Sequence, residues 1–107
     1  MFFRKKEKVV RDFSDKNLIR RHYQFYGIVQ GVGFRYTAAM TAESLNMTGW
    51  VRNEYDGSVT MELQGTQAEI DEVLKSLNRS RYIRIERTEC RDLPLDEHET
   101  SFSTEWY

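Results

Sequence analysis

The 107-residue chain is poor in the residues that small proteins use as covalent or metal-bound cross-links. Its single cysteine, Cys90, excludes an internal disulfide and a cysteine-based metal cage, and a lone thiol is typical of a reducing cytoplasm. The two histidines, His22 and His98, lie far apart and have no partner at ligand spacing. We therefore predict a cytoplasmic protein without metal or cofactor, in which Cys90 is a strand residue without chemistry.

Long apolar runs are also missing. No stretch approaches the roughly 20 consecutive apolar residues that span a bilayer. Residues 4–8 read Arg-Lys-Lys-Glu-Lys, so no apolar signal-peptide core follows the N-terminus. Hydrophobic residues nevertheless make up 39% of the chain and aromatics 13%, which is enough for the core of one domain. We expect a single domain that does not interact with a membrane.

Charge is distributed unevenly although the net charge is only −1. Residues 1–21 carry eight basic and three acidic side chains, whereas residues 22–107 carry eight basic and fourteen acidic ones. We predict that residues 1–21 form a flexible basic leader and that residues 22–107 form the domain. The leader is either a solvated tail or an arm that touches an anionic partner.

Hydrophobic periodicity predicts four strands and two helices. Apolar and polar residues alternate in the predicted strands, which cover residues 22–30, 48–53, 58–64 and 82–90. The first predicted helix runs from residue 34 or 35 to Asn46. The second opens at Thr66, where Glu69 completes a capping box, and the Asp56-Gly57 pair predicts a hairpin turn between the second and third strands.

The resulting order, β-α-β-β-α-β, predicts an α+β fold of the ferredoxin-like type. We expect an antiparallel sheet with both helices on one face. Residues 91–100 are predicted to be a polar loop, and residues 101–107 can add a short C-terminal strand.

The segment from Gly27 to Arg35 combines a strand end, a glycine-bearing turn and a helix start. Backbone N–H groups in such a turn can converge on an anion, and Arg35 adds a planar, permanently charged fork. A Walker loop is excluded because no lysine is present, and Tyr36 stands where a dinucleotide fingerprint needs glycine. These residues are either ordinary turn residues or an anion site. The candidate phosphate-binding residues are Gln30, Gly31, Val32, Gly33, Phe34 and Arg35.

Asn53 lies where the second strand meets the hairpin turn. One interpretation is a turn asparagine that bonds to its own backbone. The other is an amide that accepts a hydrogen bond from a water and positions it, because an amide carries both a donor and an acceptor. The residues alone leave both interpretations open.

Together, Val-Gln-Gly-Val-Gly-Phe-Arg (29–35), Gly-Trp-Val-Arg-Asn (49–53) and Asp-Gly-Ser-Val (56–59) resemble the acylphosphatase family, over about residues 23–107. The resemblance implies a ferredoxin-like fold and hydrolysis of acyl phosphates to carboxylate and phosphate, without metal or cofactor. It makes Arg35 the phosphate-binding arginine, helped by the backbone amides of residues 30–35. It makes Asn53 the residue that orients the attacking water.

Two other functions fit the same topology. One is a non-catalytic phosphate- or anion-binding module, like the domain that opens some much longer carbamoyl-transfer maturation proteins; the short chain favours a free-standing enzyme. The other is an RNA-binding domain, but residues 58–63 lack its aromatic motif and the acidic domain opposes a polyanion. We expect a monomer that acts on a small acyl phosphate and binds no nucleic acid.

Overall fold

Residues 11–105, which the computed structural model describes, form five strands and two helices around one core. The strands are β1 (Leu18–Ile28), β2 (Thr48–Asn53), β3 (Val59–Thr66), β4 (Arg84–Leu93) and β5 (Phe102–Glu105). The helices are α1 (Phe34–Ser44) and α2 (Gln67–Arg79). Both helices pack on the sheet, so the predicted ferredoxin-like α+β fold is confirmed.

The sheet has the order β4-β1-β3-β2-β5 and is mixed rather than wholly antiparallel. The first four strands pair antiparallel with their neighbours, but β5 runs parallel to β2, with Gly49 opposite Phe102. The antiparallel sheet expected for the first four strands is therefore present, and the optional C-terminal strand, whose direction was not predicted, adds a parallel edge. β4 finishes at the same end of the sheet at which β2 begins. From there residues 94–101 lead from one side of the sheet to the other, and β5 then runs beside β2 in the same direction.

Two strands extend into segments that were predicted to be a leader or a loop. β1 begins at Leu18 instead of residue 22, with Leu18 opposite Thr66 and Arg20 opposite Gln64. β4 continues to Leu93 and so occupies the start of the predicted polar loop. The charged residues of both stretches suggested solvated chain, but backbone pairing does not depend on side-chain polarity. Residues 1–10 and 106–107 lie outside the described residues, so of the predicted leader only residues 11–21 are described.

The core lies between the sheet and the two helices. Ala38 and Ala42 are buried, and their small side chains let α1 approach the sheet closely. Thr66 and Glu69 form the predicted capping box, which fixes the start of α2. Neither helix is long and apolar enough to cross a membrane. The large core side chains come from both helices, from β1, β2, β3 and β5, and from the segment before β2: Phe25, Phe34, Met47, Val51, Val59, Met61, Leu63, Ile70, Val73, Leu77 and Phe102.

Candidate active site

The turn between β1 and α1 depends on glycine for its backbone conformation. Gly31 and Gly33 have φ values of +73° and +82°, in the left-handed region that other residues rarely adopt. A Cβ placed on either residue would meet no atom within 4 Å. The space beside both glycines is therefore open, so a ligand can approach the backbone closely.

Two buried side chains hold the ends of this turn. Val29 and Phe34 are almost completely buried, and the Phe34 ring lies 5.0 Å from the Phe25 ring, centroid to centroid. Gly31 and Gly33, between them, are exposed. The loop is thus anchored in the core at both ends while its middle faces solvent.

The N-terminus of α1 supplies positive charge at the same place. Gly33 is the N-cap residue, and the first turn of α1 contains no acidic side chain that would offset the helix dipole. Arg35 is the second residue of α1 and is half-buried. The helix dipole and the guanidinium therefore make this end of α1 attractive to an anion.

Asn53 is the last residue of β2 and lies opposite Val59 of β3. Phe25 of β1 is opposite Val59 on its other side, so these three residues form one row across the sheet. Asn53 follows Val51 by two positions, so it faces the side of the sheet that carries the helices. Asn53 and the start of α1 therefore lie at the same end and on the same face.

The hairpin turn after Asn53 is held by its own side chains. The Ser58 backbone N–H and hydroxyl donate to Asp56 Oδ1, at 3.0 and 2.5 Å, and these bonds lower the pKa of the Asp56 carboxyl. Arg52 Nε donates to Glu54 Oε1 at 2.6 Å. The two carboxylates nearest to Asn53 in the sequence are thus engaged in holding the turn, as expected of turn residues.

Gln30 joins the glycine loop to this hairpin. Its side-chain Nε2 donates to the backbone oxygens of Glu54 and Ser58, at 2.7 and 2.8 Å. Gln24 of β1 also reaches the turn and donates to Ser58 Oγ at 3.1 Å. These contacts were not predicted, because a polar side chain between Val29 and Gly31 belongs to no periodic pattern that would indicate its partner.

The chemistry that the arrangement can perform is the binding of an anion. Within residues 11–105, no three His, Cys, Asp or Glu side chains lie close enough together to hold a metal ion. The glycine loop, the α1 N-terminus and Arg35 can neutralise a phosphate. Asn53 lies at the mouth of the hairpin, on the second strand from β1.

The chain is similar to known proteins of one family. The sequence profile of the family described as Acylphosphatase matches residues 21–104. The acylphosphatase of Moorella thermoacetica is 46% identical over 63 residues, covering 59% of this chain and 68% of the relative. That of Bifidobacterium longum is 39% identical over 80 residues, covering 74% and 82%. The crystal structure of acylphosphatase from Bacillus subtilis matches with a TM-score of 0.73 at 27% identity, covering 81% of this chain and 98% of that chain.

A ferredoxin-like sandwich with an open glycine loop at a helix N-terminus defines an α+β domain suited to binding a small anion. The chain belongs to the acylphosphatase family, as its two motifs predicted. It is accordingly an acylphosphatase, an enzyme that hydrolyses small acyl phosphates.

Proposed function

We propose that the loop of residues 30–35 binds the phosphoryl group of the acyl phosphate and that Asn53 orients the water that attacks it. The observation that carries the proposal is the double hydrogen bond of Gln30 to Glu54 and Ser58. It ties the glycine loop and the hairpin that follows Asn53 into one unit. The products are a carboxylate and inorganic phosphate.

Phosphate binding rests on three sources of positive charge. The backbone N–H groups of residues 30–35 and the N-terminus of α1 donate hydrogen bonds to the phosphate oxygens, and Arg35 adds a bidentate guanidinium. Phosphoryl transfer needs mainly positioning and stabilisation of charge on the equatorial oxygens. A site built before the substrate arrives provides both without reorganisation.

Asn53 completes the site from the other side. Its amide oxygen accepts a hydrogen bond from the water and so points a lone pair of the water at phosphorus, in line with the leaving oxygen. The leaving group is a carboxylate with a low pKa, which departs without being protonated. The reaction therefore needs neither a metal nor a strong general acid from the protein.

We also propose that the chain does not bind nucleic acid. Three basic side chains of the predicted leader contact carboxylates of the domain: Arg11 with Glu69, Arg20 with Glu62 and Glu99, and Arg21 with Asp92. Their charge is therefore largely neutralised within the molecule. This supports a small acyl phosphate, rather than a polyanion, as the ligand.

The test is hydrolysis of benzoyl phosphate in the presence of EDTA. We expect Arg35→Ala to lower kcat/KM by about 10²–10³, the usual cost of removing one donor to developing negative charge. Wild-type turnover should be unaffected by EDTA. The matched control is Arg91→Ala, since Arg91 is an exposed arginine near the opposite end of the sheet. Unchanged kcat/KM in Arg35→Ala would refute the assignment of Arg35.

A further inference from the structure

We propose that Ile28 and the loop of residues 80–83, which joins α2 to β4, form the subsite for the acyl group. In this subsite the ring of Tyr82 selects acyl phosphates whose acyl group is flat and apolar. The inference rests on the proposed function, because it takes from it the position of the phosphate and of the attacking water.

The direction of the acyl group follows from the strand order. In-line displacement places the attacking and leaving oxygens on opposite sides of phosphorus. The phosphate loop follows β1, and Asn53 lies on β2, two strands away on one side of β1. β4 lies directly on the other side of β1. A water held by Asn53 therefore directs the leaving carboxylate, with its acyl group, away from β2 and toward β4.

Ile28 and Tyr82 are the apolar side chains at this location. Ile28 ends β1 and lies opposite Arg84, the first residue of β4. Tyr82 precedes Arg84 by two positions, which is about 7 Å of extended chain. Both side chains are exposed, Ile28 to 50% and Tyr82 to 67%. They flank the point where the chain leaves β1 and enters the phosphate loop.

Exposed apolar side chains concentrate at this end of the domain. Single exposed apolar residues are common, but a group of them beside a polar site marks a surface that contacts a ligand. Among residues 11–105, four of the five large exposed apolar residues belong to segments at the phosphate-loop end, and the fifth, Met40, lies further along α1. The four are Ile28, Tyr36, Tyr55 and Tyr82. Ile28 and Tyr82 lie on the β4 side of the phosphate loop, toward which the acyl group is directed, whereas Tyr55 lies beside Asn53 on the opposite side.

Several contacts hold the loop that carries the Tyr82 ring. Ile83 is buried and anchors the loop, and the Tyr82 backbone N–H donates to Ser80 Oγ at 3.3 Å. The Arg81 guanidinium carbon lies 5.7 Å from the centre of the Tyr82 ring, within the range of a cation–π contact. The ring can therefore offer a flat face without a large loss of conformational entropy on binding.

Positive charge around the loop of residues 80–83 favours binding of the phosphate group of the same substrate. Arg79, Arg81 and Arg84 are exposed, and none forms an ion pair with a carboxylate within residues 11–105. Their field attracts a doubly negative phosphate toward the loop of residues 30–35. An acyl phosphate with an apolar acyl group matches both this charge and the apolar surface of Ile28 and Tyr82.

The test compares kcat/KM for benzoyl phosphate and acetyl phosphate. We expect Tyr82→Ala to lower the benzoyl-to-acetyl ratio by about 3- to 10-fold, the size of one aromatic contact, with acetyl phosphate hydrolysis nearly unchanged. The matched control is Tyr55→Ala. Tyr55 is 92% exposed but follows Asn53 in the hairpin turn, on the side of the attacking water, so its removal should leave the ratio unchanged.

A binding measurement separates this inference from the catalytic proposal. Calorimetry with benzoylphosphonate and acetylphosphonate, in which a P–C bond replaces the cleaved P–O bond, requires no turnover. A preference for benzoylphosphonate that falls in Tyr82→Ala supports the subsite even if the wild type proves inactive, which would refute only the catalytic proposal. An unchanged preference in Tyr82→Ala, or an equal loss in Tyr55→Ala, would overturn the subsite.

Discussion

The side-chain amide of Gln30 sets the distance between the phosphate loop and the hairpin that follows Asn53. Both bonds of Gln30 go to backbone oxygens at the base of the hairpin turn, those of Glu54 and Ser58. Asn53 immediately precedes Glu54, so its amide is held relative to the loop that begins at Gln30. Gln30 was predicted to bind phosphate, and its backbone N–H keeps that proposed role. Its side chain ties the loop to Glu54, the residue that follows Asn53.

This geometry separates the roles proposed for Asn53 and Arg35. We expect Asn53→Ala to lower kcat strongly while the inhibition constant for inorganic phosphate changes by less than about 3-fold, because the proposed partner of the amide is the water and not a phosphate oxygen. Steady-state kinetics with phosphate as a competitive inhibitor measures both quantities. Asn78→Ala, on the exposed side of α2, is the control. Equal losses in kcat and in phosphate affinity would make Asn53 a binding residue.

Local signals in the sequence predicted the parts of the fold that depend on neighbouring residues. The capping box of Thr66 and Glu69 and the glycine turn before α1 are of this kind, since their partners lie within a few positions. The parallel pairing of β5 and the reach of the Gln30 side chain were not predicted. Both depend on residues far apart in the sequence. The burial of Arg20 was not predicted either. Nothing close to it in the sequence indicates that it is buried beside carboxylates from two other segments.

At the scale of elements, Arg11 connects the two helices. Its guanidinium donates to the backbone oxygens of Leu45 and Asn46, just beyond the end of α1, at distances of 2.9 to 3.2 Å. It also contacts Glu69 Oε2 at 3.0 Å, while Glu69 Oε1 accepts from the Thr66 backbone N–H. The carboxylate of Glu69 thus caps α2 and also binds Arg11. Arg11 in turn donates to the backbone oxygens that follow the end of α1, which have no partner within the helix.

We expect Arg11→Ala to lower the free energy of unfolding by about 1–2 kcal/mol, the loss of hydrogen bonds that involve a charged group at a partly exposed site. Urea unfolding followed by circular dichroism measures it. Lys16→Ala, an exposed basic residue of the same segment, serves as the control. The kcat of Arg11→Ala should match that of the wild type, because the contact lies away from the phosphate loop. A midpoint equal to that of the wild type would show that the contact does not contribute.

At the scale of the whole molecule, one charge network ties the crossing connection to the sheet. Arg20 of β1 is only 6% exposed and contacts Glu62 of β3 and Glu99 of the connection before β5, at 2.9 and 2.6 Å. His22 lies 2.6 Å from the other oxygen of Glu62. Burial raises the pKa of Glu62, but the hydrogen bonds from His22 and Arg20 lower it by more, so the pKa is below its ordinary value.

This pKa predicts how stability depends on pH. Because the Glu62 pKa is lower in the folded state, its contribution is fully present above the unfolded-state pKa of a glutamate and is lost as the pH falls through the folded-state value. Urea unfolding between about pH 3 and pH 6 should show this loss in the wild type. Glu62→Gln should be less stable at pH 6 and less dependent on pH. Glu97→Gln, an exposed control in the same connection, should retain the wild-type slope.

The central position of β1 also has a consequence for synthesis on the ribosome. β1 is made early, but its neighbours β3 and β4 are made much later, and the hydrogen-bond acceptors of Gln30 lie in the hairpin before β3. The phosphate loop therefore cannot reach its final form while only the first half of the chain has emerged. Folding is governed by contacts between sequence-distant residues, and such chains fold more slowly than helical bundles of similar length.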